Sequence, residues 1–142
     1  MNIDSIKNGI VIDHIKAGLS MDIFAFLNLE ELDASVKILR KVPSEKMGKK
    51  DVIKIDSELD VDLNALGYID PDISINIIKN GEIVDKYHPT LPDTMTNILM
   101  CKNPRCITSC EQELDHVFKL TDVQNRVYRC IYCETKSEMD FK

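Results

Sequence analysis

Apolar and polar positions fall into short blocks through the first ninety residues. Residues 9–15 (GIVIDHI) form a β-branched run opened by Gly9, which predicts a strand buried on both faces. Residues 20–29 place Ile23, Phe24 and Leu27 on one side of a 3.6-residue period, with Ser20 as N-cap, and predict a helix. Residues 35–42 read as a second strand stopped by Pro43. A polar loop containing Gly48 leads to a third strand over residues 51–56. A short helix is expected at 60–67, with Leu63 and Leu66 inward and Gly67 as its stop. Residues 73–79 alternate as a strand does, Asn80-Gly81 is a hairpin turn, and Glu82 to Tyr87 is the return strand. The order β-α-β-β-α-β plus one strand is a split βαβ pattern, a ferredoxin-like antiparallel sheet with two helices in an α+β fold.

After Tyr87 the pattern changes. Pro89 and Pro92 stiffen residues 88–93 into a linker. The expected division is therefore residues 1–93 and residues 94–142. In the second part, residues 116–120 and 126–129 read as strands around a turn at 122–125, giving a small all-β domain.

Composition sharpens this division. The chain has 142 residues, 44% hydrophobic and 30% charged, which suits globular domains built on Ile, Leu and Val, since there is no Trp. Residues 1–93 hold 11 Lys and Arg against 17 Asp and Glu, a net of −6, whereas residues 94–142 hold 7 of each. Neither part has the basic surplus of a nucleic-acid binder. No apolar run approaches the roughly 20 residues that span a bilayer, and the first residues lack a signal-peptide core. Neither a membrane nor a nucleic acid is expected as partner.

All five cysteines lie between 101 and 133. Cys101 and Cys106 form one hook, Cys130 and Cys133 another, with 23 residues between Cys106 and Cys130. Two thiolates from each of two tight turns suit a tetrahedral, closed zinc site, one Zn2+ per chain, structural rather than catalytic. Such a site, with an odd cysteine left over, fits a reducing cytoplasm better than a disulfide scaffold. Cys110 reads as a free, partly buried thiol, and His116 as a surface strand residue.

Other candidates are weaker on their own. Asp13 and His14 sit inside an apolar strand, where neighbours on a regular strand face opposite sides. Strand context alone makes Asp13 a hydrogen-bonded residue at a sheet edge and His14 a satisfied core histidine. Lys54 and Lys86 interrupt strands, where lysines ordinarily face solvent or protect an edge. Lys46, Lys49 and Lys50 make a basic loop, but neither standard glycine-rich phosphate cradle is present. No catalytic constellation stands out.

Taken together, residues 6–15, 43–55, 71–76 and 89–92 and the C-x4-C, x23, C-x2-C cysteine spacing resemble the regulatory chain of aspartate carbamoyltransferase over nearly the whole length. The resemblance implies a non-catalytic subunit of pyrimidine biosynthesis. Its first domain would bind the nucleotide effectors ATP and CTP, and its zinc domain would dock on the catalytic chain. It also implies a regulatory-chain homodimer within a larger hetero-oligomer. Carried over by position, the nucleotide pocket would use Ile6, Val11, Asp13, His14, Lys54, Asn76, Ile78, Ile83 and Lys86. His14 and Lys86 would face the phosphates, and Asp13 and Lys54 the ribose. The competing reading is a stand-alone zinc-ribbon protein that binds nucleic acid, which the neutral second part disfavours.

Overall fold

A computed structural model describes residues 7–59, 63–111 and 113–137. The chain divides into two compact units, Met1–Thr90 and Leu91–Lys142.

In the first unit the strands are β1 (Gly9–Lys16), β2 (Val36–Ser44), β3 (Gly48–Ile55), β4 (Ser74–Lys79) and β5 (Glu82–Tyr87). They form one sheet in the order β2-β3-β1-β4-β5, with every neighbouring pair antiparallel. This is the split βαβ order with one strand added at the β4 side. Direct cross-strand partners share a face of the sheet. Ile10 opposes Ile55, and Ile12 opposes both Ile53 and Ile75, so these isoleucines lie on one face. All are buried, as are Ile23 of helix α1 (Ser20–Phe26), which packs on β3, and Leu66.

Several expectations shift in detail. Pro43 does not stop β2, which continues to Ser44 with Pro43 opposite Lys49. Proline has no N–H to give, and β2 is an edge strand, whose outer side requires none. Helix α1 ends three residues early. Asn28 takes a left-handed conformation at φ 56°, and a 3-10 turn at Leu29–Glu31 follows. Leu19, not Ser20, is the N-cap. Ser20 instead donates its hydroxyl to the buried carboxylate of Asp51 at 2.6 Å. Asp51 also accepts the N–H groups of Gly18 at 3.0 Å, Ser20 at 3.3 Å and Lys41 at 2.9 Å. One carboxylate thus ties the β1–α1 turn and an irregularity in β2 to β3. The second helix is a 3-10 segment, Leu63–Tyr68, and residues 60–62 of the expected span lie outside the described residues. At the hairpin Asn80 and Gly81 both have positive φ (54° and 79°), as a type I′ turn requires.

The second unit holds a three-stranded antiparallel sheet in the order β6 (Thr94–Thr96), β7 (Val117–Asp122), β8 (Val127–Cys130), and one helical turn, α2 (Ile107–Cys110). Strand β6 and α2 were not expected; three and four residues are too few to set up a period. Apart from cysteines, the buried apolar side chains among the described residues here are Met95, Leu99, Phe118 and Tyr128. Tyr128 donates its hydroxyl to the Pro92 carbonyl at 2.6 Å, so the proline segment is strapped to this sheet.

Candidate functional site: four thiols and a cationic sheet face

The two cysteine hooks meet. Cys101 and Cys106 flank a turn that runs into α2, Cys130 ends β8, and Cys133 lies in the turn after it. Their four sulfurs lie within 4.8 Å of one another. Cys101 and Cys133 are 3.6 Å apart, Cys106 and Cys130 3.7 Å. These spacings are far beyond the roughly 2.05 Å of a disulfide. They match the edge of about 3.8 Å that four Zn–S bonds of about 2.3 Å define in a tetrahedron. The donor set therefore fits one structural zinc.

Local groups hold the hooks in place. Cys106 Nα donates to the Asn103 carbonyl at 3.0 Å, closing the first turn. Thr108 donates its hydroxyl to the Cys106 sulfur at 3.1 Å, and Thr135 Oγ1 lies 3.1 Å from that of Cys133. Burial pushes the Cys101 thiol up to about 12. Burial opposes ionisation of Cys133 as well, but hydrogen bonding from Thr135 and Asn103 outweighs it and brings that thiol down to about 6. Four thiols so close cannot all ionise without a cation, and a dication removes the obstacle. His116 is more than a surface residue: its Nδ1 accepts the N–H of Cys101 at 3.1 Å, which props the first hook and places the ring proton on Nε2. Cys110 stands apart and is exposed rather than partly buried.

On the first unit, the face opposite the isoleucines carries a row of polar groups. Lys54 opposes Val11, Val11 opposes Asn76, and Asn76 opposes Lys86, on four adjacent strands. Two bulges complete the arrangement. Ile78 opposes Ile83 while Asn76 opposes Lys86, so β5 advances three residues as β4 advances two. The extra residue brings Ile83 and Lys86 to the same face, which a regular strand forbids. The second bulge is in β1: Ile12 opposes Ile53 and Ile15 opposes Asp51. The residue that breaks the alternation is His14, at φ 58°.

That bulge revises the reading of Asp13 and His14. Strand β1 is the centre of the sheet, not an edge. Asp13 lies opposite Ser74 on the polar face, forms an ion pair with Lys50 at 2.9 Å and accepts the His14 N–H at 2.6 Å. His14 Nδ1 is 3.1 Å from the Ser74 hydroxyl, so both side chains serve one neighbourhood. Burial works to raise the Asp13 pKa, but Lys50 and the His14 N–H prevail and hold it below the usual carboxylate range. Desolvation pushes His14 down; Asp13 opposes this, and Lys50, Lys46 and Lys86 add to it. Several cations therefore converge on His14.

Eight of the nine carried-over residues thus lie on or beside one face; Ile6 lies outside the described residues. Val11 and Ile78 are fully buried and form an apolar floor with Val52. Asn76 is buried and donates its amide to the Val11 carbonyl at 3.2 Å, whereas Ile83 and Lys86 are exposed. Lys50 was missed as a site residue, because only the fold brings it to Asp13. Among the described residues no helix is long and apolar enough to cross a membrane.

Comparison with known proteins finds two family models that match the chain. The family model described as aspartate carbamoyltransferase regulatory chain, allosteric domain, matches residues 1–90. The model described as aspartate carbamoyltransferase regulatory chain, metal binding domain, matches residues 93–141. An aspartate carbamoyltransferase regulatory chain of Clostridium botulinum (strain Hall) is 49% identical over 134 residues, 94% of this chain and 92% of the relative. One of Clostridium tetani is 49% identical over 135 residues, 94% of each. One of Bifidobacterium longum is 33% identical over 139 residues, 98% of this chain and all of the relative.

Proposed function

The chain belongs to the aspartate carbamoyltransferase regulatory chain family, as a non-catalytic subunit with an allosteric and a metal-binding domain, and we propose that its allosteric domain binds nucleoside triphosphates. The observation that carries this reading is the row Lys54, Val11, Asn76 and Lys86 beside the bulge at Asp13 and His14. A nucleotide needs cations for its phosphates, a carboxylate or amide for its ribose hydroxyls and an apolar surface for its base. His14 and Lys86 are assigned to the phosphates, Asp13 and Lys54 to the ribose, and Ile78 and Ile83, with Ile6, to the base and its surroundings. ATP and CTP are the proposed effectors. The net charge of −6 over residues 1–93 is offset locally by Lys46, Lys50, Lys54 and Lys86.

The zinc unit is the proposed docking surface for the catalytic chain. Exposed Ile107 follows the first cysteine hook, exposed Ile131 and Tyr132 lie within the second, and the three support an interface there. The zinc would brace that surface without touching substrate. A homodimer of regulatory chains inside a larger hetero-oligomer, in the cytoplasm, completes the proposal.

Linkage supplies the mechanism. A nucleotide that binds one quaternary state more tightly shifts the assembly toward it, by as much as its two affinities differ. Calorimetric titration of the intact chain with ATP and CTP, repeated on Lys86→Ala, tests the effector site. Equal affinity in the variant would sink the phosphate assignment. Copurification with the catalytic chain, with and without zinc, tests docking; assembly that survives metal removal would count against it.

A further inference from the structure

Strand β3 meets a bulge on each side, and the two bulges fall at the same level. In β1, Ile12 opposes Ile53 and Ile15 opposes Asp51; in β2, Leu39 opposes Val52 and Val42 opposes Lys50. Each neighbour therefore uses three residues where β3 uses two. Each bulge also holds a residue at positive φ, His14 at 58° and Lys41 at 57°. Side chains other than glycine stay in that region only where their surroundings fix them. An aspartate does so in both. Asp13 accepts the His14 N–H at 2.6 Å, and Asp51 Oδ1 accepts that of Lys41 at 2.9 Å.

The second oxygen of Asp51 secures β1 as well. Oδ2 takes the N–H groups of Gly18 and Ser20 and the Ser20 hydroxyl, in the turn by which the chain leaves β1. Successive strand residues face opposite sides. Asp51 is accordingly fully buried on the isoleucine face, while Lys50 emerges on the polar face and pairs with Asp13. Two consecutive residues of β3 thus grip β1 on either side of His14, Lys50 at Asp13 and Asp51 just beyond Lys16. A regular β1 would carry His14 to the face opposite Asp13, among the isoleucines. The bulge persists because the chain is tied to β3 both before and after it, and the strand cannot slip by one residue.

We propose that Asp51 is a positioning residue for the effector face: from the buried side of the sheet it keeps β1 bulged, so that His14 serves the same side as Asp13. The assignment rests on the nucleotide reading of that face and adds where its geometry is set. Asp51 touches no ligand itself. Its effect on binding passes through His14, and so vanishes when the His14 ring is absent. A carboxylate is needed because its two oxygens accept from two segments at once. In asparagine one of those oxygens becomes an amide nitrogen, which donates where a backbone N–H or hydroxyl requires an acceptor.

The test is a double-mutant cycle on the intact, metal-loaded chain, read by calorimetric titration with ATP. Wild-type protein, Asp51→Asn, His14→Ala and the double variant are compared, with Lys86→Ala beside them. Asp51→Asn and His14→Ala should each weaken ATP binding about tenfold, and the double variant should bind within about twofold of His14→Ala. Denaturant titration of the same four proteins should instead show the stability lost in Asp51→Asn lost again in full when His14 is alanine. A purely structural Asp51 would give additive losses in affinity as well, and that result would overturn the assignment. Ser20→Ala removes one of the hydrogen bonds to Oδ2 and should weaken ATP about threefold, again only while His14 is present. It carries the same cycle if Asp51→Asn does not fold, with the same additivity as the contrary result. If Lys86→Ala weakens ATP while Asp51→Asn binds as wild type, the positioning role alone fails. If the wild type binds no ATP, the reading of the whole face fails, and the role of Asp51 with it.

Discussion

The two units of this chain solve the same problem with different materials. The first buries seventeen apolar side chains among its described residues and folds around a five-stranded sheet. The second, among its described residues, buries Met95, Leu99, Phe118 and Tyr128, and otherwise closes on sulfur. Four large side chains are too few for a unit of about fifty residues, since small domains bury a low fraction of their surface. A zinc held by four thiolates contributes on the order of 10 kcal/mol in small modules, enough to make up the difference. The lesson concerns division of labour. In the proposed function, a unit stabilised by its own core leaves one sheet face free to hold cations around a ligand, and a unit stabilised by a metal keeps its surface for a partner.

The largest effect that tests this contrast is metal removal. Chelation should unfold the second unit and leave the first, so amide protection should vanish over residues 117–130 and persist over residues 10–15 and 74–79 in a hydrogen-exchange experiment. Next comes Asp51→Ala, which strands the N–H groups of Gly18, Ser20 and Lys41 and should cost the first unit about 3 kcal/mol by denaturant titration without altering zinc content. The same carboxylate gives the first unit an acid limit. Burial works to raise the Asp51 pKa, but the hydrogen bonds from Ser20, Lys41 and Gly18 hold it below its ordinary value. A depressed folded pKa means stability that is present above the unfolded value of about 3.9. That stability is lost as pH falls through the folded value, so unfolding at pH 2 to 4 should be weaker in Asp51→Asn. Smaller effects belong to single contacts. Lys86→Ala should weaken triphosphate binding about tenfold, or ~1.4 kcal/mol, with no change in thermal unfolding. His116→Ala should speed zinc loss to a competing chelator about tenfold, because the Cys101 N–H loses its acceptor.

The contrast also explains what was legible in the sequence. Strand β5 was readable to the residue because Asn80-Gly81 fixes its start and alternation carries it to Tyr87. The metal site was readable because cysteine spacing encodes two hooks whatever the fold between them. The bulge at His14 was not, since nothing in the local sequence announces a histidine at positive φ inside an isoleucine-rich strand. Yet that bulge is what brings Asp13 and His14 to one neighbourhood. Ser20 was misread as a cap because its long-range partner, Asp51, lies 31 residues away. Lys50 and His116 were missed for the same reason: their partners, Asp13 and the Cys101 N–H, are neighbours only in three dimensions.

The central claim is that effector binding resides wholly in the first unit, independent of the metal that holds the second. It is tested most directly by titrating ATP into the metal-stripped full-length chain, dialysed free of chelator, beside the zinc-loaded chain. The account predicts affinities within about twofold of each other, since every assigned contact lies before Thr90. Binding that disappears with the zinc while the first sheet stays folded, or that is absent from both samples, would contradict it.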